Sequence, residues 1–518
     1  MIFDDCSCWV HWKEGPKANS MRQKKTLFIN KIVLLVTVTG FFITGCSYPF
    51  ASISSKNILP KAVGKTWDPP KRAIKKASKI NSPFTIDPAI FDGEVSLAEI
   101  ITFALTNNPN TSLSYAQIEN SIAELGLARA DSFPRLEVGS NINRTGLGFT
   151  FPPKILIFQW LTTWMNEANL TYTVWDFGSR VAKNESALQA LFAMGWSYNQ
   201  EVQNIVKTLT NDYYDNLFEK AMLANEEQNA RDAQIILDSA EKKLYTGVGD
   251  VTQLVQARTN YLQRLVDVVD QKDLAAASII KLATDMGMPG NVTFSTQEFP
   301  SELPGSEYIA KLDDLIDLSI QNRPSIASKK AEVNSRKSAV NQARLNQLPK
   351  IDGAINLSYF RYNAFYKEHL NYTGEFKLTW PFFSGLEYRN KVRQAKSKLK
   401  MAEASLKLEQ ENALQEVTLS FTNYKNAIER VEYSCAYLDS ALEEFDVTLS
   451  NFRAGTGNIL DVMQAQTSLS NARSKYTISV RDLFVSLTNL AYSTGSLIAP
   501  TAESSWDSIY EFEDNHNE

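Results

Sequence analysis

The sequence predicts a mainly α fold with a small β part: duplicated long α-helical coiled-coil hairpins plus four transmembrane β-strands per protomer. Three observations predict it. Before Gly455, apolar side chains recur at alternating steps of three and four (Phe421, Tyr424, Ile428, Val431, Cys435, Leu438, Leu442, Phe445, Leu449, Phe452), the heptad seam of a coiled coil. The helix then reverses at Gly455-Thr456-Gly457-Asn458, and the same reversal stands about 208 residues earlier at Gly247-Val248-Gly249-Asp250. Each copy also carries two stretches in which the period drops from helical to two.

Bulk properties exclude several function classes. Of the 518 residues 44% are hydrophobic, and the mean hydropathy of -0.25 does not fit a polytopic helical membrane protein. A net charge of -5 gives no basis for binding nucleic acid. Cys6, Cys8, Cys46 and Cys435 form neither a disulfide framework nor a spaced zinc set. Cys435 falls in the seam, where it is expected to pack as a small apolar residue. His11, His369 and His516 lie far apart, and no nucleophile–histidine set or phosphate loop is present. The reading is therefore not an enzyme, with no catalytic residues, cofactor or metal.

Residues 1–45 read as an upstream extension and a signal peptide, with Met21 the expected start. Met21-Arg22-Gln23-Lys24-Lys25 is a basic n-region, Ile32 to Ile43 an apolar run, and Ile43-Thr44-Gly45-Cys46 resembles a lipoprotein lipobox. A membrane anchor or a buried helix are the other readings, but the run is shorter than the roughly 20 residues a spanning helix needs. Cleavage leaves Cys46 as an acylated, palmitate-bearing N-terminus. Ser47 follows it rather than Asp, which by the same resemblance favours sorting to an outer membrane. Residues 46–94 are a tether rich in lysine and proline, too proline-dense for a long helix or a central strand. It reads either as a segment held near anionic head groups or as a solvated linker.

The first repeat occupies 95–300 and the second 301–500. Each opens with a short amphipathic helix stopped before proline, Leu97 to Pro109 and Leu312 to Pro324. A second helix follows, ending at Ala128-Arg129 and Ala343-Arg344. Strands of about 10 residues come next, starting at Arg135 and Lys350, with return partners at 168–175 and 375–383. Alternation with aromatic tips (Tyr172, Trp175; Trp380, Phe383) fits a transmembrane barrel, and a soluble hairpin is the bland alternative. Four strands cannot close around a pore, so the barrel reading requires oligomerisation. Long outgoing helices then cover about 179–245 and 387–453, near 67 residues each, or roughly 100 Å. In the first of them apolar positions such as Leu223, Ala230, Leu237 and Leu244 alternate with polar partners. Residues 501–518 are an acidic tail.

These features in this order resemble the outer-membrane efflux protein family, the TolC-like channels, over about residues 95–495. The resemblance implies a homotrimer with a trimeric α-barrel and one 12-stranded β-barrel. It implies a passive exit for substrates driven by an inner-membrane transporter through a periplasmic adaptor. Family members line their constriction with polar and acidic residues just after the second tip, which makes Asp461 and Gln464 the expected gate. Gly457 and Asn458 stand where some members carry a basic residue. Gly247, Gly249, Asp250, Gly455, Gly457 and Asn458 are the expected adaptor-contact tips. Two alternatives remain: a periplasmic adaptor or scaffold lipoprotein without a pore, and the exit duct of a type I protein secretion system.

Overall fold

A computed structural model describes residues 93–151, 155–292, 294–300, 303–304, 311–362 and 368–497. Cys46, the lipobox, most of the tether and the acidic tail lie outside them.

The first repeat opens with a short strand, β1 (Glu94–Val95), and two helices, α1 (Leu97–Asn107) and α2 (Pro109–Ala130). Ser96 and Glu99 make a reciprocal capping box that starts α1. Asn108 is held extended because proline follows it, and its Oδ1 accepts from the Asn110 backbone N–H at 2.8 Å to start α2. Strands β2 (Arg135–Phe151) and β3 (Ile155–Trp175) lead into α3 (Ser179–Tyr245), which turns back into α4 (Val251–Asp285). After β4 (Ser295–Thr296), which pairs in parallel with β1, the sequence of elements repeats. The second copy comprises α5 (Leu312–Asn322), α6 (Pro324–Leu345), β5 (Lys350–Tyr362), β6 (Glu368–Thr379), α7 (Glu387–Ala454) and α8 (Ile459–Ser493).

The expected long helices are present at 67 and 68 residues, each paired with a 35-residue return helix. The α7 seam is corrected in its middle. Tyr424, Phe445, Leu449 and Phe452 are buried as expected, but Cys435 is exposed and Leu442 is 37% exposed. Ser434 and Ala441 take the buried positions instead, and Ser434 Oγ lies 2.6 Å from Ser479 Oγ of α8. Small residues let the two backbones approach there, so the packed line slips by one position.

The strands are also longer than expected, at 17, 21, 13 and 12 residues. Gly146 and Gly148 interrupt the alternation in the outer half of β2, and in the outer half of β3 a nearly continuous apolar run, Ile155 to Phe158, hides it. Pairing is antiparallel throughout, in the order β2-β3-β5-β6, which leaves β2 and β6 as open edges. The register aligns Leu136 with Leu170, Leu170 with Ile355, and Leu357 with Tyr372. One face is thereby apolar and exposed (Val138 78%, Tyr372 84%, Phe376 82%), while the other carries Glu137, Glu167, Asn169, Asn356 and Glu375. Among the described residues no helix is long and apolar enough to cross a membrane.

Candidate functional site at the hairpin tips

Two tip turns are built alike because their glycines answer the same two demands. Gly247 and Gly455 adopt φ of +77° and +83°, the left-handed region that ends a helix and that a side chain disfavours. Gly249 and Gly457 are needed for space: a Cβ would stand 2.7 Å from the Leu244 backbone N and 3.0 Å from that of Phe452. Their N–H groups donate to Lys243 and Asn451 carbonyls at 2.9 and 3.0 Å, which satisfies carbonyls left over at the helix ends. Asp250 and Asn458 then precede α4 and α8 in extended conformation, and Asn458 Oδ1 accepts from the Leu460 N–H at 3.4 Å.

Asp461 and Gln464 fall on one face of the first turns of α8, both exposed, while the residue after each, Val462 and Ala465, is fully buried. A carboxylate in a helix's first turn is favoured by the positive end of the helix dipole. Among the described residues Asp461 makes no salt bridge, so its charge is directed at solvent.

The two tips share one core. Ile236, Ala240 and Ala257 of the first hairpin pack with Phe445, Phe452, Ile459, Val462 and Leu469 of the second. Polar contacts join the hairpins at residues that spacing did not single out. Lys243 Nζ donates to the Phe452 carbonyl at 3.0 Å and lies 4.0 Å from that ring's centroid. Arg453 Nε donates to Ser239 Oγ at 3.4 Å. Farther from the tip, Arg473 Nη1 is 2.7 Å from Asp232 Oδ2 and from Asn229 Oδ1, with both charged side chains largely buried. Gln466 links Asn229 to Asn260, accepting from Asn260 Nδ2 at 2.6 Å and donating to the Asn229 carbonyl at 3.1 Å. The polar interruptions in the first-copy seam were the signal for this network.

The same duplication governs the opposite ends of the return helices. Gly287 and Gly495 have φ of +85° and +74°, and each packs against the pre-proline bend of its own repeat. A Cβ there would stand 2.9 Å from Asn108 Cα and 3.0 Å from Asn322 C.

The family model described as "Outer membrane efflux protein" matches residues 100–287 and 315–496, most of the chain and one stretch per repeat. The chain belongs to the outer membrane efflux protein family. Protein CyaE of Bordetella pertussis is 22% identical over 418 residues, covering 78% of this chain and 85% of that protein. The Campylobacter jejuni CmeC outer membrane channel superposes with a TM-score of 0.70 at 17% identity, covering 81% of this chain and 89% of its own. VceC, an outer membrane protein of Vibrio cholerae, superposes with a TM-score of 0.69 at 16% identity, covering 77% and 96%. Efflux proteins of this family reside in the outer membrane and move solutes rather than transform them.

Proposed function

We propose that this efflux protein is the passive exit channel of a tripartite assembly. It forms a homotrimer that receives substrates from an inner-membrane transporter and a periplasmic adaptor and releases them outside the cell. The observation that carries this reading is the open four-stranded sheet, apolar on one face and polar on the other. Unpaired edge N–H and C=O groups cannot remain exposed in hydrocarbon. The free edges of β2 and β6 are therefore best satisfied by other copies, and three copies give twelve strands. A poreless adaptor or scaffold would have no use for such a sheet. Exposed pairs Trp175–Phe177 and Trp380–Phe382, each in edge-to-face contact at the foot of a strand, suit a membrane–water boundary.

Within this reading Cys46 carries the lipid that tethers the N-terminus to the outer membrane. The tips at Gly247, Gly249, Asp250, Gly455, Gly457 and Asn458 meet the adaptor. Asp461 and Gln464 line the periplasmic gate, where three Asp461 carboxylates would sum to a strong local field. Residues 95–300 and 301–500 are taken as the two repeats.

Disulfide capture tests the closure. In a Cys435→Ser background, Asn141→Cys on β2 is combined in turn with Asn371→Cys, Thr373→Cys or Glu375→Cys on β6. Within one sheet these edges are three strand spacings apart, about 14 Å, too far for a disulfide. Oxidation is expected to give a species of three linked chains for at least one pair. Only single chains for every pair, from protein inserted in membranes, would contradict the closed barrel.

A further inference from the structure

At the base of the first hairpin, Asp212 of α3 is 3% exposed. Its Oδ1 accepts from Lys281 Nζ of α4, but its buried Oδ2 has no donor. A second carboxyl, Asp285, ends α4 one turn beyond Lys281 and bears on Asp212 from that side. Two ionised carboxylates are both acceptors only, so a hydrogen bond between them needs a proton. Burial, reinforced by Asp285 and opposed by Lys281, pushes the Asp212 carboxyl up to about 6.

The surroundings give Asp285 access to water and the pair a mechanical role. Asp285 lines an open polar cavity of about 270 Å³ together with Asn108, Glu201, Asn204 and Thr208. Its carbonyl accepts from Asn108 Nδ2 at 2.7 Å, and Asn108 is the residue that starts α2. The pair thus sits where α3, α4 and the α1–α2 bend meet, beside the buried side chains of Leu282, Ala283 and Met286. The remaining charges nearby are largely matched. Asp215, one turn along α3, faces Arg481 of α8 at 3.5 Å, and Arg481 also pairs with Asp482. Glu94 of β1 lies near the adjoining Tyr213, whose hydroxyl is pushed up by burial first and by neighbouring Tyr214 and Glu94 after it.

We propose that Asp212 and Asp285 form a proton-binding site that clasps α3 to α4, tightening the base of the first hairpin on acidification and loosening it near neutrality. The sign follows from linkage. The folded chain holds the Asp212 proton more tightly than the unfolded chain, whose carboxyl stays near 3.8. The favourable contribution is full below that value and is lost as pH rises to about 6. The loss amounts to roughly a hundredfold in the folding equilibrium.

The test follows thermal unfolding of the detergent-solubilised full-length protein between pH 4 and 8. It compares wild type with Asp212→Asn, which mimics the protonated form. Lys281 is 60% exposed, so water replaces the partner that it loses. Wild type is expected to lose stability relative to the variant across pH 4 to 6, and the difference should be constant above. A difference independent of pH would overturn the proposal. Should the variant not assemble, infrared spectra of the wild-type protein decide. A buried carboxylic-acid band that disappears with a midpoint near pH 6 is expected, and absence of any such band overturns the site.

Discussion

Arg473 shows how one residue can hold two distant parts of the chain together. Its guanidinium, 13% exposed, bridges Asp232 and Asn229 of the first hairpin. Removing one member of a buried pair leaves the other charged and dry, at a cost of about 3–5 kcal/mol, whereas an apolar pair of similar volume is close to neutral. Arg473→Ala is therefore expected to lower the unfolding midpoint by several degrees, and Arg473→Met with Asp232→Leu to recover most of that loss. A double variant as unstable as the single one would show that the bridge is not what the substitution disrupts. The polar interruptions of the first-copy seam were legible in advance, but their partners were not. Periodicity tells which face a residue occupies, but not which partner more than 200 positions away will meet it. By contrast the tip glycines could be read directly, because turn geometry is local, and Asp461 and Gln464 stand in the first turns of α8, just after the tip that the family resemblance pointed to.

The helices were legible as elements because their seams recur with little interruption over many turns. The errors arose where tertiary approach overrides spacing. Ser434 displaced Cys435 because α8 comes close at Ser479, a fact that resides in α8 rather than in α7. The strands read short because strict alternation fails in their outer halves, through Gly146 and Gly148 in β2 and through the apolar run Ile155 to Phe158 in β3. In α4 the pattern has a further consequence. Val255, Leu262, Val266 and Val269 form an exposed stripe, each more than half accessible, at steps of seven, four and three. Such a stripe on a helix already paired with α3 is suited to another copy of the chain. Leu262→Glu with Val266→Glu is expected to yield single chains in native electrophoresis, with helix content retained by circular dichroism. A trimer that persists in this variant would remove α4 from the interface.

At the scale of the whole molecule, duplication explains why fold and function could be read together. Two repeats each supply two strands and a hairpin whose outgoing helix is roughly 100 Å long. That length crosses a periplasm-sized gap and far exceeds what a globular core requires. The tips gather at one end on a shared core, and the amphipathic sheet forms a separate element with both edges open. The most direct measurement is single-channel conductance of the purified protein in planar bilayers, with wild type beside Asp461→Ala. A trimeric exit channel gated at the second tip predicts small, cation-preferring events whose selectivity falls in the variant. Conductance indifferent to the substitution would retain the channel and remove Asp461 from the gate. No conductance, from protein shown to be folded and inserted, would contradict the channel itself.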